Sequence, residues 1–252
     1  DDHFHGTHCA GTIAGRGNNG IGVAGVNWRA RLVAIKFLNN GGSGTTDGAI
    51  QAIQYAIAVG VRFTSNSWGG GDFSQPLLDA INAAGASGQL FVAAAGNSAT
   101  NTDIVPFYPS GYNTPYVLSV AATDASDNLA SFSNYGPTTV DLAAPGVDIL
   151  SCQPGGGYQL LSGTSMATPH VAGVVGLAWG RFPGLTNLQV KSLILNSVDV
   201  KSSLNGRVLT NGRLNAFMTI SEPDSIPPGT VTDLVANTPG SNSMMLTWTA
   251  TG

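Results

Sequence analysis

Residues 165–181 read SMATPHVAGVVGLAWGR, a helical stretch with small and apolar residues on every side. A helix without a polar face must be buried, so the rest of the chain has to wrap around it. Short apolar runs at 31–37, 61–66, 90–95 and 116–123 read as strands. The last two are continuously apolar, as in a parallel sheet covered on both faces. Helical spacing at 46–59, 75–86 and 188–196 falls between or after them. Such alternation predicts an α/β three-layer sandwich around a mainly parallel sheet. Active residues then belong on loops at the carboxyl ends of strands and at helix N-termini.

Composition narrows the function. Of the 252 residues, 42% are hydrophobic and 10% charged, which is a core-forming chain. The 34 glycines have no period and cluster between apolar runs as turns. A formal net charge of -4, without clustered Lys or Arg, gives no footprint for nucleic acid or an anionic membrane. No apolar stretch reaches the roughly 18 residues of a spanning helix. Composition shifts near Ser221: residues 221–229 read as a linker, and 230–252 hold two strand-like runs, 231–236 and 243–249, with a Pro-Gly turn between them.

Three of the four histidines crowd into His3-Phe4-His5-Gly6-Thr7-His8-Cys9. His and Cys close in sequence are a zinc cue, yet His5 and His8 are three apart with Gly-Thr between, unlike the His-Glu-x-x-His helix of zinc proteases. The second candidate is Gly163-Thr164-Ser165-Met166-Ala167, at the start of the buried helix. A serine there is ordinarily a cap. Here, however, the positive end of an apolar helix with Pro169 in its first turns is driven inward, where it could stabilise an oxyanion. An α/β-hydrolase elbow requires its His after the Ser, and His170, in the same helix, cannot fold back.

Together the two motifs resemble the His and Ser boxes of the subtilases, His5-Gly6-Thr7-His8-Cys9-Ala10-Gly11-Thr12 and Gly163-Thr164-Ser165-Met166-Ala167-Thr168-Pro169-His170. Asn66-Ser67-Trp68-Gly69, Ala93-Ala94-Ala95-Gly96-Asn97 and Ser131-Phe132-Ser133-Asn134-Tyr135-Gly136 match between them in order. The resemblance covers about residues 1–220 and implies a secreted serine endopeptidase acting on polypeptides, as a monomer. A binding domain that keeps the fold without activity is the alternative.

Carried over residue by residue, the resemblance makes Ser165 the nucleophile, His5 its base and Asn97 an oxyanion donor. Gly42, Ser43 and Gly44 would pair with extended substrate, as would Ser67, Trp68 and Gly69. Ala94, Ala95 and Gly96 would wall the S1 pocket, with Ser98 at its rim and Phe107 near its base, favouring apolar P1 residues. Asp141, with the carbonyls of Pro115 and Val117, resembles a structural calcium site. The loop at 17–23 is similar to a second calcium loop, but lacks an Asp which that site needs. His8 is expected to be structural, His3 on the surface, and His170 buried and hydrogen-bonded. Cys9 and Cys152 are expected to be unpaired, with Cys9 buried and open to mercurials. The family's catalytic Asp precedes its His by tens of residues, so this chain is expected to be nearly inactive as it stands. Residues 230–252 resemble the opening hairpin of a fibronectin type III domain, with Trp248 in its core.

Overall fold

A computed structural model describes residues 2–221 and, as backbone strands, 235–240 and 243–247. The helices are α1 (Phe4–Ala14), α2 (Thr46–Ala58), α3 (Gln75–Ala86), α4 (Thr164–Arg181), α5 (Asn187–Asn196) and α6 (Ala216–Ser221). The central strands are β1 (Phe63–Asn66), β2 (Leu90–Ala94), β3 (Val117–Thr123) and β4 (Leu142–Pro145). A hairpin, β5 (Ile149–Cys152) and β6 (Tyr158–Leu161), follows, then β7 (Asp199–Val200) and β8 (Gly212–Arg213). The central sheet runs β1-β2-β3-β4-β8-β7 and is parallel except for the β7–β8 pair.

Strand alternation sorts the core into layers. Leu90, Val92, Leu118, Val120, Leu142 and Ala144 pack with Val171, Val174 and Val175 of α4. The intervening Phe91, Ala93 and Val117 pack with Ile53 of α2 and with Leu77 and Ile81 of α3. This is the α/β three-layer sandwich that the apolar pattern implies. Helix starts follow local chemistry: Thr45 caps α2, Ser74 caps α3 ahead of Pro76, and Thr186 with Gln189 forms a capping box on α5.

The expected strand at 31–37 does not form. The segment joins no ladder, and Leu32 and Val33 are each 48% exposed. β1 ends the sheet, and without a neighbour on its backbone an apolar run cannot become a strand. Four residues ending in Pro145 conceal β4 from the sequence pattern, and the Gly155-Gly156-Gly157 turn conceals the β5–β6 hairpin. Further on, β9 (Val235–Gly240) pairs antiparallel with β10 (Ser243–Thr247). The linker beyond Ser221 and the expected core Trp248 lie outside the described residues.

Candidate active site

α4 begins at the nucleophile candidate because Gly163 brings the chain in extended and Thr164 starts the helix. Pro169 sits four residues past Ser165 and has no N–H, so the Ser165 carbonyl lacks its intrahelical donor. Two side chains replace that donor: Ser67 Oγ donates to it at 2.9 Å and Cys9 Sγ at 3.4 Å. Ser165 Oγ in turn donates to the Ser67 carbonyl at 3.3 Å. The expected substrate strand at Ser67 is thereby bonded in both directions to the expected nucleophile.

His5 lies one turn before Cys9 on α1, with its Nδ1 4.0 Å from Cys9 Sγ. Cys9 thus touches both catalytic candidates, which the chain separates by 160 positions. Burial pushes the Cys9 thiol up to about 11, so it stays protonated and can donate. Burial, reinforced by His3 and His8, holds His5 below the usual histidine range. Among the described residues no carboxylate hydrogen-bonds to His5, and Asp2 pairs instead with Lys36 at 3.0 Å.

Asn97 follows β2, at the carboxyl end of the sheet. Its Oδ1 accepts from Thr164 N at 2.8 Å and from Thr164 Oγ1 at 2.9 Å, which fixes the amide and turns Nδ2 outward. A Cβ placed on Gly163 would stand 3.6 Å from Asn97 Nδ2 and 3.6 Å from Ser165 N. Two nitrogen donors, Asn97 Nδ2 and Ser165 N, therefore border the same point beside Gly163.

The loop carrying Asn97 is held by Asn134, which sequence reading placed in the run before the nucleophile without a role. Asn134 Oδ1 accepts from Ser98 N and Thr100 N, and its Nδ2 donates to the Ala95 carbonyl. Gly96, at φ +104, leaves room for that amide, since a Cβ there would lie 2.3 Å from it. The Phe107 ring wedges between Gly69 and Gly96: a Cβ would meet it at 2.5 Å on the first and 3.1 Å on the second. Trp68 turns its ring away into the core, edge-on to Phe37 and Phe91. Gly42, Ser43 and Gly44 are exposed on a turn that Asn39 pins by accepting from Gly41 N and Ser43 N.

The other histidines separate cleanly. His3, expected on the surface, is half-buried and caps α1 by accepting from His5 N at 3.3 Å. His8 Nε2 faces the carbonyls of Ile149 and Gln159, clasping α1 to the β5–β6 hairpin. His170 Nδ1 donates to the Met166 carbonyl at 2.9 Å. Among the described residues no three His, Cys, Asp or Glu side chains gather as metal ligands. Cys9 and Cys152 are both unpaired.

Asp141 is not free to take calcium. Lys191 Nζ lies 3.3 Å from its Oδ1 and also donates to the Val117 carbonyl, while Oδ2 accepts from Ser119 N at 2.7 Å. Burial pushes the Asp141 carboxyl up, and the Lys191 ammonium only partly offsets this. As they stand, Asp141, Pro115 and Val117 do not fit a divalent ion, because an ammonium already holds two of the three.

The model of the subtilase family matches residues 1–225. The chain belongs to the subtilase family. It is 44% identical to thermitase of Thermoactinomyces vulgaris over 216 residues, spanning 86% of this chain and 74% of that protein. It is 41% identical to subtilisin Savinase of Lederbergia lenta, over 86% of this chain and 77% of the relative. A thermophilic serine proteinase of a Bacillus strain is 41% identical, and this chain spans 53% of it. Among solved structures, a cold adapted subtilisin-like serine proteinase superposes with a TM-score of 0.76 at 37% identity, covering 86% of this chain and 76% of that one. Subtilase membership and the named serine proteinases among its relatives support a peptidase. No described helix is long and apolar enough to cross a membrane.

Proposed function

We propose that this subtilase chain hydrolyses peptide bonds through an acyl-enzyme on Ser165. Ser165 Oγ leaves the Ser67 carbonyl, attacks the scissile carbonyl carbon and passes its proton to His5 Nε2. Asn97 Nδ2 and Ser165 N–H receive the oxyanion, and His5 then protonates the leaving amine. Water repeats the sequence on the ester. Ser67, Trp68 and Gly69 on one side, and Gly42, Ser43 and Gly44 on the other, bind extended backbone. Ala95 and Gly96 form a wall of the P1 pocket, whose base Phe107 fills.

The observation that carries this reading is that Asn97 Nδ2 and Ser165 N both lie 3.6 Å from one point beside Gly163, next to the residue that carries the hydroxyl. A cap or a core serine needs no second nitrogen donor beside it. The turnover of the chain itself is expected to be low, because no described carboxylate orients His5. In subtilisin, loss of the Asp alone costs about 3 × 10⁴ in kcat. Polypeptides outside the cell are the proposed substrates and a monomer the proposed working unit.

A fluorophosphonate probe tests the site directly. Labelling of Ser165, found by peptide mass spectrometry and absent in Ser165→Ala and in heat-denatured chain, is the expected result. Failure of the folded chain to label would remove Ser165 as nucleophile. The second reading is a domain that binds peptide without cleaving it. Saturable peptide binding with no probe labelling is its signature.

A further inference from the structure

We infer that the ammonium of Lys191 is the resident cation of the Asp141–Val117 site, a tethered replacement for a metal ion. The site lies at the amino ends of the parallel strands, away from Asn97 and Ser165 at the carboxyl ends. Val117 opens β3, and Asp141 immediately precedes β4. Their oxygens face one another across neighbouring strands, offering a carboxylate and a peptide carbonyl, the hard donors that calcium prefers. Lys191 enters this space from α5. The capping box at Thr186 fixes where that helix starts, and the buried Val190, Leu193 and Ile194 fix its rotation. With those three facing inward, the stem of Lys191 runs along the sheet margin and delivers Nζ to both oxygens.

The contact is more than a surface ion pair. The side chains of Lys191 and Asp141 are 17% and 13% exposed, and the second lone-pair direction of Asp141 is taken by Ser119 N. Truncating Lys191 leaves a carboxylate with one remaining donor, a carbonyl with none, and a gap the width of an ammonium group. That arrangement is short of one positive charge, and a hydrated divalent ion can supply it. The parent chain therefore needs no calcium at this point, whereas Lys191→Met creates a calcium requirement there.

The test is thermal unfolding of parent, K191M, D141N and K191M/D141N, each in chelator and in millimolar calcium chloride. In chelator K191M is expected to melt at least about 5 °C below the parent, the scale for removing one partner of a buried pair in a domain of this size. Calcium should return most of that loss in K191M and none of it in the double variant. In the parent, D141N should leave the response to calcium unchanged, which separates this site from any other calcium site. A calcium response in K191M no larger than the parent's overturns the inference. So does a parent response that D141N abolishes, since the metal and not Lys191 would then be resident. Should K191M fail to fold in either buffer, K191Q, which keeps a donor for the Val117 carbonyl, is judged by the same two comparisons. The readout is melting alone, so it stands or falls apart from the proposed peptidase activity.

Discussion

Pro169 leaves the carbonyl of Ser165 without a helical donor, and the helix of His5 and the segment that follows β1 at Ser67 supply the replacements. A missing hydrogen bond in α4 thus fastens three separate segments around one residue. Pro169→Ala restores the N–H and lets α4 reclaim the carbonyl. Melting temperature should hold or rise, while kcat/KM for a peptide substrate, or the rate of fluorophosphonate labelling, falls by about 10-fold to 100-fold through loss of alignment. Unchanged kinetics in Pro169→Ala would show that the clamp is idle.

Asn97 and Thr164 should act as a pair. Removing an oxyanion donor of this kind from subtilisin costs about 10²–10³ in kcat, and this sets the scale for Asn97→Ala. Thr164→Val keeps the Asn97 side chain but removes the hydroxyl that holds its Oδ1. A smaller loss in kcat is expected, with KM little changed. Additive losses in the double variant would argue that Thr164 acts elsewhere.

The Phe107 ring lies between Gly69 and Gly96, at the base of the proposed P1 pocket. A library profile should favour small apolar P1 residues. Phe107→Ala should shift the ratio of kcat/KM for Phe over Ala at P1 upward by about 10-fold or more. A profile dominated by Arg or Lys would overturn the assignment of this pocket.

Burial, first among the causes, holds both His5 and His170 below their unfolded value near 6.5. The unfolded chain therefore binds more protons than the folded one between 6.5 and those lower values, so stability falls as pH falls through that window. Melting temperature should drop from pH 7 towards pH 5.5. His170→Gln has no proton to take up and keeps an amide donor for the Met166 carbonyl, so it should lessen the drop. An equal drop in the variant would clear His170 of any part in acid sensitivity.

Periodicity gave α3 its full extent, Gln75–Ala86, because Ser74 and Pro76 announce its start and its apolar residues recur at helical spacing. It failed at 31–37, where pairing and not composition decides whether an extended run is a strand. Resemblance to the subtilase boxes indicated His5, Ser165 and Asn97 as the candidates. It could not give Asn134, Thr164 or the Lys191 ammonium, whose contacts join segments 34 to 74 residues apart. Such partners carry no local signal. A buried Asn before a Tyr-Gly turn looks like any turn residue until the loop it ties down is seen.

β3 divides its seven buried residues between two layers, with Leu118, Val120 and Ala122 facing α4 and Val117 and Ala121 facing the other side. That division gives the strand a parity. A substitution at one position disturbs one layer. Insertion or deletion of a single residue between Val117 and Thr123 would reverse the facing of every side chain beyond it, exchanging the linings of two unlike cores. The strand can therefore change its letters but not its count, and differences in length among chains built on this plan have to gather in the loops at its two ends.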